Sequence, residues 1–146
     1  MMRLVLDTNV LLSALMSPAS PSADILSLWR DCKVAVLTAA EQIDEIARVT
    51  RYPRIRTLLD PALAGRLVNR LRDVAIVVEK LPTVDRSPDP DDNYLLALAE
   101  AGEAQFLVTA DKPLLGLKRH KSTRIVTPAT LLELLQLLPR NRRKME

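Results

Sequence analysis

The chain has 146 residues, 48% hydrophobic and 27% charged, which fits a single domain with its own core. No apolar run approaches the roughly 18 residues of a membrane-spanning helix. The first apolar run meets an acid too early for a signal peptide, so we expect a cytoplasmic protein. One cysteine and one histidine exclude an internal disulfide and argue against a hydrolase triad. We expect Cys32 to be buried and His120 to lie at the surface.

The distribution of charge is compatible with a polyanionic partner. The net charge is +3, and the basic residues fall largely into three groups. These are Arg48, Arg51, Arg54 and Arg56; Lys118, Arg119, Lys121 and Arg124; and Arg140, Arg142, Arg143 and Lys144. Each group is equally well explained as a solvated surface. Since only 3% of residues are aromatic, nucleic acid would be held by its phosphates rather than by base stacking.

The first half of the chain is predicted to contain two buried strands and three helices. Short apolar runs indicate the strands, and apolar residues at helical spacing indicate the helices. Ser20 or Ser22 can cap the second helix, and Thr38 can cap the third. The predicted elements are strands at 3–7 and 34–37 and helices at 9–15, 22–31 and 39–50.

The second half continues the alternation. Pro61 and Pro128 suit the first positions of helices, Gly102 suits a helix end, and residues 82–90 are rich in loop formers. The predicted elements are strands at 74–78, 106–109 and 124–126, and helices at 61–72, from 91 or 92 to 101, and 128–138. Alternating strands and helices predict a parallel sheet covered on both faces.

Four acidic residues are placed near one edge of this sheet. Asp7 ends the first strand, Asp111 follows the strand at 106–109, and Asp92 begins the helix before that strand. Glu45 lies about two turns into its helix, from which it can lean over the same edge. Because ligands of open α/β sheets bind outside the carboxyl ends of the strands, we expect these acids to meet.

Converging carboxylates raise one another's pKa, and a bound cation removes that penalty. Oxygen ligands favour hard ions such as Mg²⁺ or Mn²⁺, which can activate water and neutralise charge on a phosphate. The acids therefore predict a metal site for phosphodiester hydrolysis, in which Asn9 can orient a carboxylate.

Each acid also has a purely structural interpretation. Asp7, Asp92 and Asp111 can be N-caps of the helices that follow them, and Glu45 can pair with Arg48 at helical spacing. Spacing alone does not decide between the two. A buried strand that runs straight into Asp-Thr-Asn favours a functional role for Asp7.

Four segments of the chain resemble, in the same order, the acidic motifs of PIN-domain proteins. They are Leu4–Ala14, Glu45–Val49 followed by Tyr52-Pro53, Asp89–Ala99, and Leu107–Asp111. A single motif is weakly specific, but the likeness extends over nearly the whole chain, from about residue 3 to about residue 132. The chain is most similar to the toxin-like branch of this family, which includes VapC-type toxins.

The resemblance implies a PIN fold, a three-layer α/β/α sandwich with a five-stranded parallel sheet over residues 1–139, followed by a basic tail at 140–146. It implies an endoribonuclease that depends on Mg²⁺ or Mn²⁺. The implied metal-binding acids are Asp7, Glu45, Asp92 and Asp111, supported by Asn9 and Thr109. It also implies an RNA substrate, a cognate antitoxin protein and a homodimer.

Two features depart from the family pattern. Many relatives carry a further acid two positions after the last aspartate, where this chain has Pro113, so a second metal ion has less support than the first. The third motif contains Asp89, Asp91 and Asp92. Asp92 is chosen because the residues after it then take the family's apolar places, which leaves Asp89 and Asp91 as alternatives.

Our hypothesis is that the acids bind metal while arginines of the 48–56 and 118–124 groups hold flanking phosphates. One rival is a PIN-fold module that binds RNA or protein without cutting, which Pro113 keeps open. Another is a phosphatase of the haloacid-dehalogenase type, but Asn9 stands where those enzymes have a second aspartate. With only three glycines, a phosphate-binding glycine loop is excluded.

Overall fold

Short strands and helices alternate along residues 1–135, the part of the chain that the structure, a computed structural model, describes. The strands are β1 (Arg3–Leu6), β2 (Ala35–Thr38), β3 (Ile76–Val77), β4 (Phe106–Val108), β5 (Arg119–His120) and β6 (Thr123–Val126). The helices are α1 (Thr8–Met16), α2 (Pro21–Arg30), α3 (Ala40–Val49), α4 (Pro53–Arg56), α5 (Pro61–Asp73), α6 (Asn93–Ala101), α7 (Lys112–Leu117) and α8 (Pro128–Leu134). A 3₁₀ turn at Pro90–Asp92 precedes α6.

The six strands form one sheet in the order β3-β2-β1-β4-β6-β5. Five of them are parallel, as predicted, and β1 lies between β2 and β4. The predicted number of five strands is wrong by one, because β5 forms an antiparallel pair with β6. A two-residue strand is too short to show a periodic pattern in the sequence.

Two hydrophobic cores lie on opposite faces of the sheet. Leu4 and Leu6 of β1 belong to the core beneath α1, α2, α3, α5 and α8, whereas Val5 belongs to the core beneath α6 and α7. Successive side chains of a strand point to opposite faces, so near-continuous apolar strands supply both cores. The predicted three-layer α/β/α sandwich is confirmed.

Several predicted boundaries differ from the structure. The strand predicted at 74–78 shrinks to Ile76–Val77, because Val74 still has helical backbone angles as the C-cap of α5. Thr38 does not cap α3; its hydroxyl donates to Gln42 instead. The last part of the helix predicted at 128–138 and the tail at 140–146 lie outside the described residues.

The predictions for Cys32 and His120 are wrong. Cys32 is exposed and has a φ of 59°, just after the C-cap of α2. His120 is only 4% exposed. Both nitrogens of the buried ring have partners: Nδ1 accepts from the Arg86 guanidinium at 2.9 Å, and Nε2 faces Glu100 at 2.9 Å. Since a guanidinium only donates, the ring proton lies on Nε2. Within residues 1–135, no helix has both the length and the apolarity needed to span a bilayer.

Candidate functional site

The two central strands bring Asp7 and Asp111 to the same edge of the sheet. Leu6 at the end of β1 is in register with Val108 at the end of β4, so the segments that leave these strands run side by side. The backbone N–H of Asp7 donates to the Val108 carbonyl at 2.9 Å. The Asp7 side chain is largely buried, at 8% exposure.

Thr109 connects the two aspartates. Its hydroxyl donates to the Asp7 carboxylate at 2.7 Å and accepts from the backbone N–H of Asp111 at 3.0 Å. The hydroxyl is therefore used in both directions, which holds the Asp7 carboxylate against the end of β4. Thr109 is fully buried, as suits a residue whose role is to position others.

Glu45 reaches the same edge because α3 is anchored to β1. The amide of the buried Gln42 donates to the Leu6 carbonyl at 2.6 Å, and its oxygen accepts from the Thr38 hydroxyl at 2.7 Å. Glu45 follows Gln42 by one helical turn and therefore lies on the same face of α3. The prediction that Glu45 leans over the carboxyl edge agrees with this position.

Two hydroxyl groups that the sequence analysis missed hold Glu45. Its Oε1 accepts from the Thr8 hydroxyl and from the Tyr94 hydroxyl, the latter at 2.8 Å. Thr8 and Tyr94 stand inside the first and third motifs. Their common partner is seen only in the tertiary structure, where α1 contacts α3 and the start of α6 reaches the same edge of the sheet. In residues 1–135 Glu45 forms no ion pair with Arg48, so the helical pairing considered above is not observed.

A pocket of about 190 Å³ lies where these elements meet. It is lined by Asp7, Thr8, Asn9, Glu45, Val49, Asp89, Asp92 and Asp111. We call it the carboxylate pocket. The structure thus brings together all four acids chosen from the sequence and adds Asp89, whereas Asp91 lines a neighbouring depression of about 410 Å³.

The carboxylates disfavour one another's charge. Burial raises the pKa of Asp92 to about 7, assisted by the negative charges of Asp7, Asp89, Asp111 and Glu45. Burial also raises the pKa of Asp7, although the Thr109 hydroxyl and the backbone N–H of Asn9 lower it in part. The pocket is therefore a site of concentrated negative charge.

Capping explains some of these acids but not others. Asp111 caps α7 by accepting from the Leu114 N–H at 3.2 Å, and Asp89 accepts from the Asp91 N–H at 3.0 Å. Asp7 and Asp92 stand at the N-cap positions of α1 and α6, yet Asp92 makes no capping hydrogen bond, and Asp7 meets the backbone N–H of Asn9 without the geometry of a full one. A structural role alone does not account for these two carboxylates.

The donor set fits a hard divalent cation, because every ionisable side chain that lines the pocket is a carboxylate. In the described part of the chain, however, no three acidic, histidine or cysteine side chains are gathered closely enough to form a ready-made cage. The side chain of Asn9 is exposed, so its contribution to Asp7 comes from the backbone.

The two basic groups within the described residues differ in position. Arg48 lines the depression beside the carboxylate pocket. In the second group, Arg124 pairs with Phe106, the first residue of β4, and therefore lies at the amino end of the parallel strands. The expectation that this second group holds phosphates next to the acids is not supported for Arg124 or for the nearby Lys121.

Comparisons with known proteins agree with this architecture. Over 117 residues the chain is 26% identical to the uncharacterized protein MJ1680 of Methanocaldococcus jannaschii, covering 80% of this chain and 75% of that one. The fold resembles VapBC2 from Rickettsia felis, crystallised with a promoter DNA fragment, with a TM-score of 0.54, 13% identity and coverage of 85% and 97%.

A second solved structure with the same fold is FitAcB from Neisseria gonorrhoeae. Its TM-score is 0.51 at 15% identity, and the match covers 86% of this chain and 98% of that one. At these identities the two structures establish the fold alone. Residues 3–113, about three quarters of the chain, match the PIN domain family. The chain therefore belongs to the PIN-domain family.

Proposed function

We propose that this protein is an endoribonuclease that depends on Mg²⁺ or Mn²⁺ and acts in the cytoplasm as the toxin of a toxin–antitoxin pair. The observation that carries the proposal is the carboxylate pocket, in which five acids line one cavity at the carboxyl edge of a PIN-domain sheet. The raised pKa values of Asp7 and Asp92 show the electrostatic cost that a cation would remove.

Asp7, Glu45, Asp92 and Asp111 would hold the ion, with Asp89 as a further candidate. A divalent ion bound there supplies water activation and neutralises charge on a phosphate. Thr109 keeps Asp7 and the backbone of Asp111 in place. Thr8 and Tyr94 occupy one oxygen of Glu45, which leaves its second oxygen without a partner among residues 1–135.

The toxin assignment and the partners rest on likeness rather than on the pocket. VapBC2 and FitAcB are complexes with this fold, and the sequence motifs resemble those of VapC-type toxins. By this likeness we propose an RNA substrate, a cognate antitoxin protein and a homodimer.

The first prediction tests the nuclease. Purified full-length protein is incubated with RNA and Mn²⁺ or Mg²⁺, with and without EDTA. We expect Asp7→Asn to lower the cleavage rate by about 100-fold or more, because an amide removes a charged oxygen ligand. Asp85→Asn, which changes an exposed loop aspartate in the same way, should leave the rate unchanged.

Equal cleavage by wild type and Asp7→Asn would refute the proposal. Undetectable cleavage by wild type, together with feeble Mn²⁺ binding in calorimetry, would instead favour a PIN-fold module that binds without cutting. Pro113, which stands where relatives carry another acid, is the residue that makes this alternative worth testing.

A further inference from the structure

A second cavity, of about 630 Å³, lies between the end of α3, the α4 segment and α5. The side chains of Arg51, Arg56 and Arg72 line it, together with Thr50, Gly65 and Asn69. We call it the arginine cleft. No acidic residue of the described range 1–135 lines it. Arg51 and Arg56 belong to one basic group in the sequence, but Arg72 is distant in sequence and joins them only through the packing of α5 against α3.

Among the described residues, the three guanidinium groups have no partners of their own. Within residues 1–135 none of them forms an ion pair or a side-chain hydrogen bond. The acid at the start of α5, Asp60, is engaged by the Ala62 N–H at 2.9 Å and does not line the cleft. Guanidinium groups stay protonated, so these three exposed side chains give the cleft a concentrated positive charge.

The α5 side of the cleft, which includes Gly65 and Asn69, is open to solvent. Gly65 is exposed, and outside the nearby backbone of α5 and its two chain neighbours no heavy atom lies within 4 Å of the position that a Cβ would take. The amide of Asn69 is free to bond a hydroxyl or a phosphate, since it has no partner among the described residues. No aromatic side chain lines the cleft, so the ligand would be recognised by its backbone rather than by stacked bases.

The cleft and the carboxylate pocket lie on different faces of α3. Glu45 and Val49 of α3 line the pocket, whereas Ala47 and Thr50 line the cleft. At about 3.6 residues per turn the two pairs face nearly opposite sides of the helix, and they come closest at its C-terminal end, where Val49 and Thr50 are adjacent. A polyanion bound at both sites would therefore run around the end of α3.

We propose that the arginine cleft binds the phosphate backbone of single-stranded RNA on its way to or from the carboxylate pocket. This inference rests on the proposed nuclease function for the direction of the strand, but the binding itself can be measured without cleavage. The chemistry is bidentate contact between guanidinium groups and phosphates, which a cleft of this size can make to more than one phosphate.

The test measures binding of a fluorescent single-stranded RNA to the full chain in EDTA, by anisotropy at several salt concentrations. The test variant is the triple substitution Arg51→Ala, Arg56→Ala and Arg72→Ala. The control removes the same charge outside the cleft and outside the three basic groups, with Lys33→Ala, Arg66→Ala and Lys80→Ala, all exposed positions. Thermal melting of both variants checks that they fold.

We expect the cleft variant to weaken RNA binding by about 10- to 100-fold and to lower the salt slope by about 2, since each phosphate contact to a single strand contributes about 0.7. The control should change affinity by less than about 3-fold. Equal losses in the two variants would show a general charge effect, and no loss in the cleft variant would show that RNA binds elsewhere; both outcomes overturn the proposal.

Two further arms separate RNA from other anions. Inorganic phosphate and unlabelled RNA are each used to displace the fluorescent RNA. Equal displacement by the two at the same phosphate concentration would indicate a free-phosphate site and overturn the proposal. A glutamate peptide of matched charge that binds as tightly, and is weakened equally in the cleft variant, would overturn it in favour of an acidic protein segment. If RNA binding depends on the cleft but Mn²⁺ supports no cleavage, the cleft is supported and the nuclease proposal fails.

Discussion

At the scale of single residues, the hydroxyl groups around Glu45 show how a carboxylate can be oriented without a charged partner. Thr8 and Tyr94 donate to the same oxygen, so one oxygen is engaged and the other is left for a ligand. Burial, assisted by the negative charge of Glu45, raises the pKa of Tyr94, which keeps its hydroxyl protonated and able to donate. Tyr94 is thus a positioning residue for Glu45.

We predict that Tyr94→Phe weakens Mn²⁺ binding and lowers the cleavage rate, each by roughly 10- to 100-fold, because loss of a partner that orients a metal ligand has about that effect. Calorimetric titration with Mn²⁺ is the decisive measurement, since a loss of packing alone would change stability and not metal affinity. Tyr52→Phe, at an exposed tyrosine, is the matched control. Unchanged Mn²⁺ affinity in Tyr94→Phe would exclude the positioning role.

Asp92 gives a prediction about pH in the absence of metal. Its pKa is raised from 3.8 to about 7 in the folded protein, so folding favours the protonated carboxyl. This contribution to stability is fully present below about pH 4 and is lost as the pH rises through about 7. Because Asp92→Asn cannot become charged, it should be more stable than wild type at pH 8 by about 1–2 kcal/mol, a value reduced by solvent that reaches the carboxyl.

Urea unfolding in EDTA at pH 4.5, 6 and 8 checks this difference, which should vanish towards the lowest pH. A difference between the two proteins that stays constant with pH would contradict the prediction. Asp85→Asn should track wild type throughout, since Asp85 is an exposed loop residue.

At the scale of elements, helix ends explain where the chain departs from simple patterns. Cys32 occupies the left-handed position after α2, where its N–H donates to the Trp29 carbonyl at 3.0 Å and the N–H of Lys33 donates to the Leu28 carbonyl at 2.9 Å. This arrangement of hydrogen bonds ends many helices, and glycine is the residue that adopts it without strain. Periodicity in the sequence does not show the backbone angle, so a buried Cys32 was the wrong expectation.

We predict that Cys32→Gly raises the free energy of unfolding by about 0.5–1 kcal/mol, because glycine has no Cβ to strain at positive φ. Cys32→Ala keeps the Cβ and should give no gain. Urea denaturation of both variants measures the effect. A gain of equal size in the alanine variant would mean that loss of the thiol, and not the backbone angle, is responsible.

At the scale of the whole molecule, the carboxylate pocket is assembled from four separate parts of the chain. Asp7 comes with β1, Glu45 with α3, Asp89 and Asp92 with the turn before α6, and Asp111 with the end of β4. An ion bound by these residues would link segments that unfolding separates. Metal binding should therefore stabilise the entire fold and not only the pocket.

We predict that Mn²⁺ at about 100 times its dissociation constant stabilises wild type by about 2.7 kcal/mol, which corresponds to a rise in Tm of about 5–10 °C. EDTA should reverse the shift. Asp7→Asn should lose most of it, whereas Asp85→Asn should keep it. If Mn²⁺ raised the Tm of Asp7→Asn as much as that of wild type, the stabilising ion would bind elsewhere. That result would contradict a metal site in the carboxylate pocket.

The sequence by itself determined the alternation of strands and helices, the PIN-domain resemblance and the acids that end up together. The elements follow from local patterns, such as an apolar run that ends in Asp7 or a proline at the start of a helix. The resemblance follows from four short motifs in a fixed order. Only the tertiary structure decided that Asp89 as well as Asp92 faces the pocket, that Tyr94 holds Glu45, and that Arg72 joins Arg51 and Arg56. The physical reason is that local patterns report which side of an element is buried. Distances between side chains of different elements depend instead on how those elements pack.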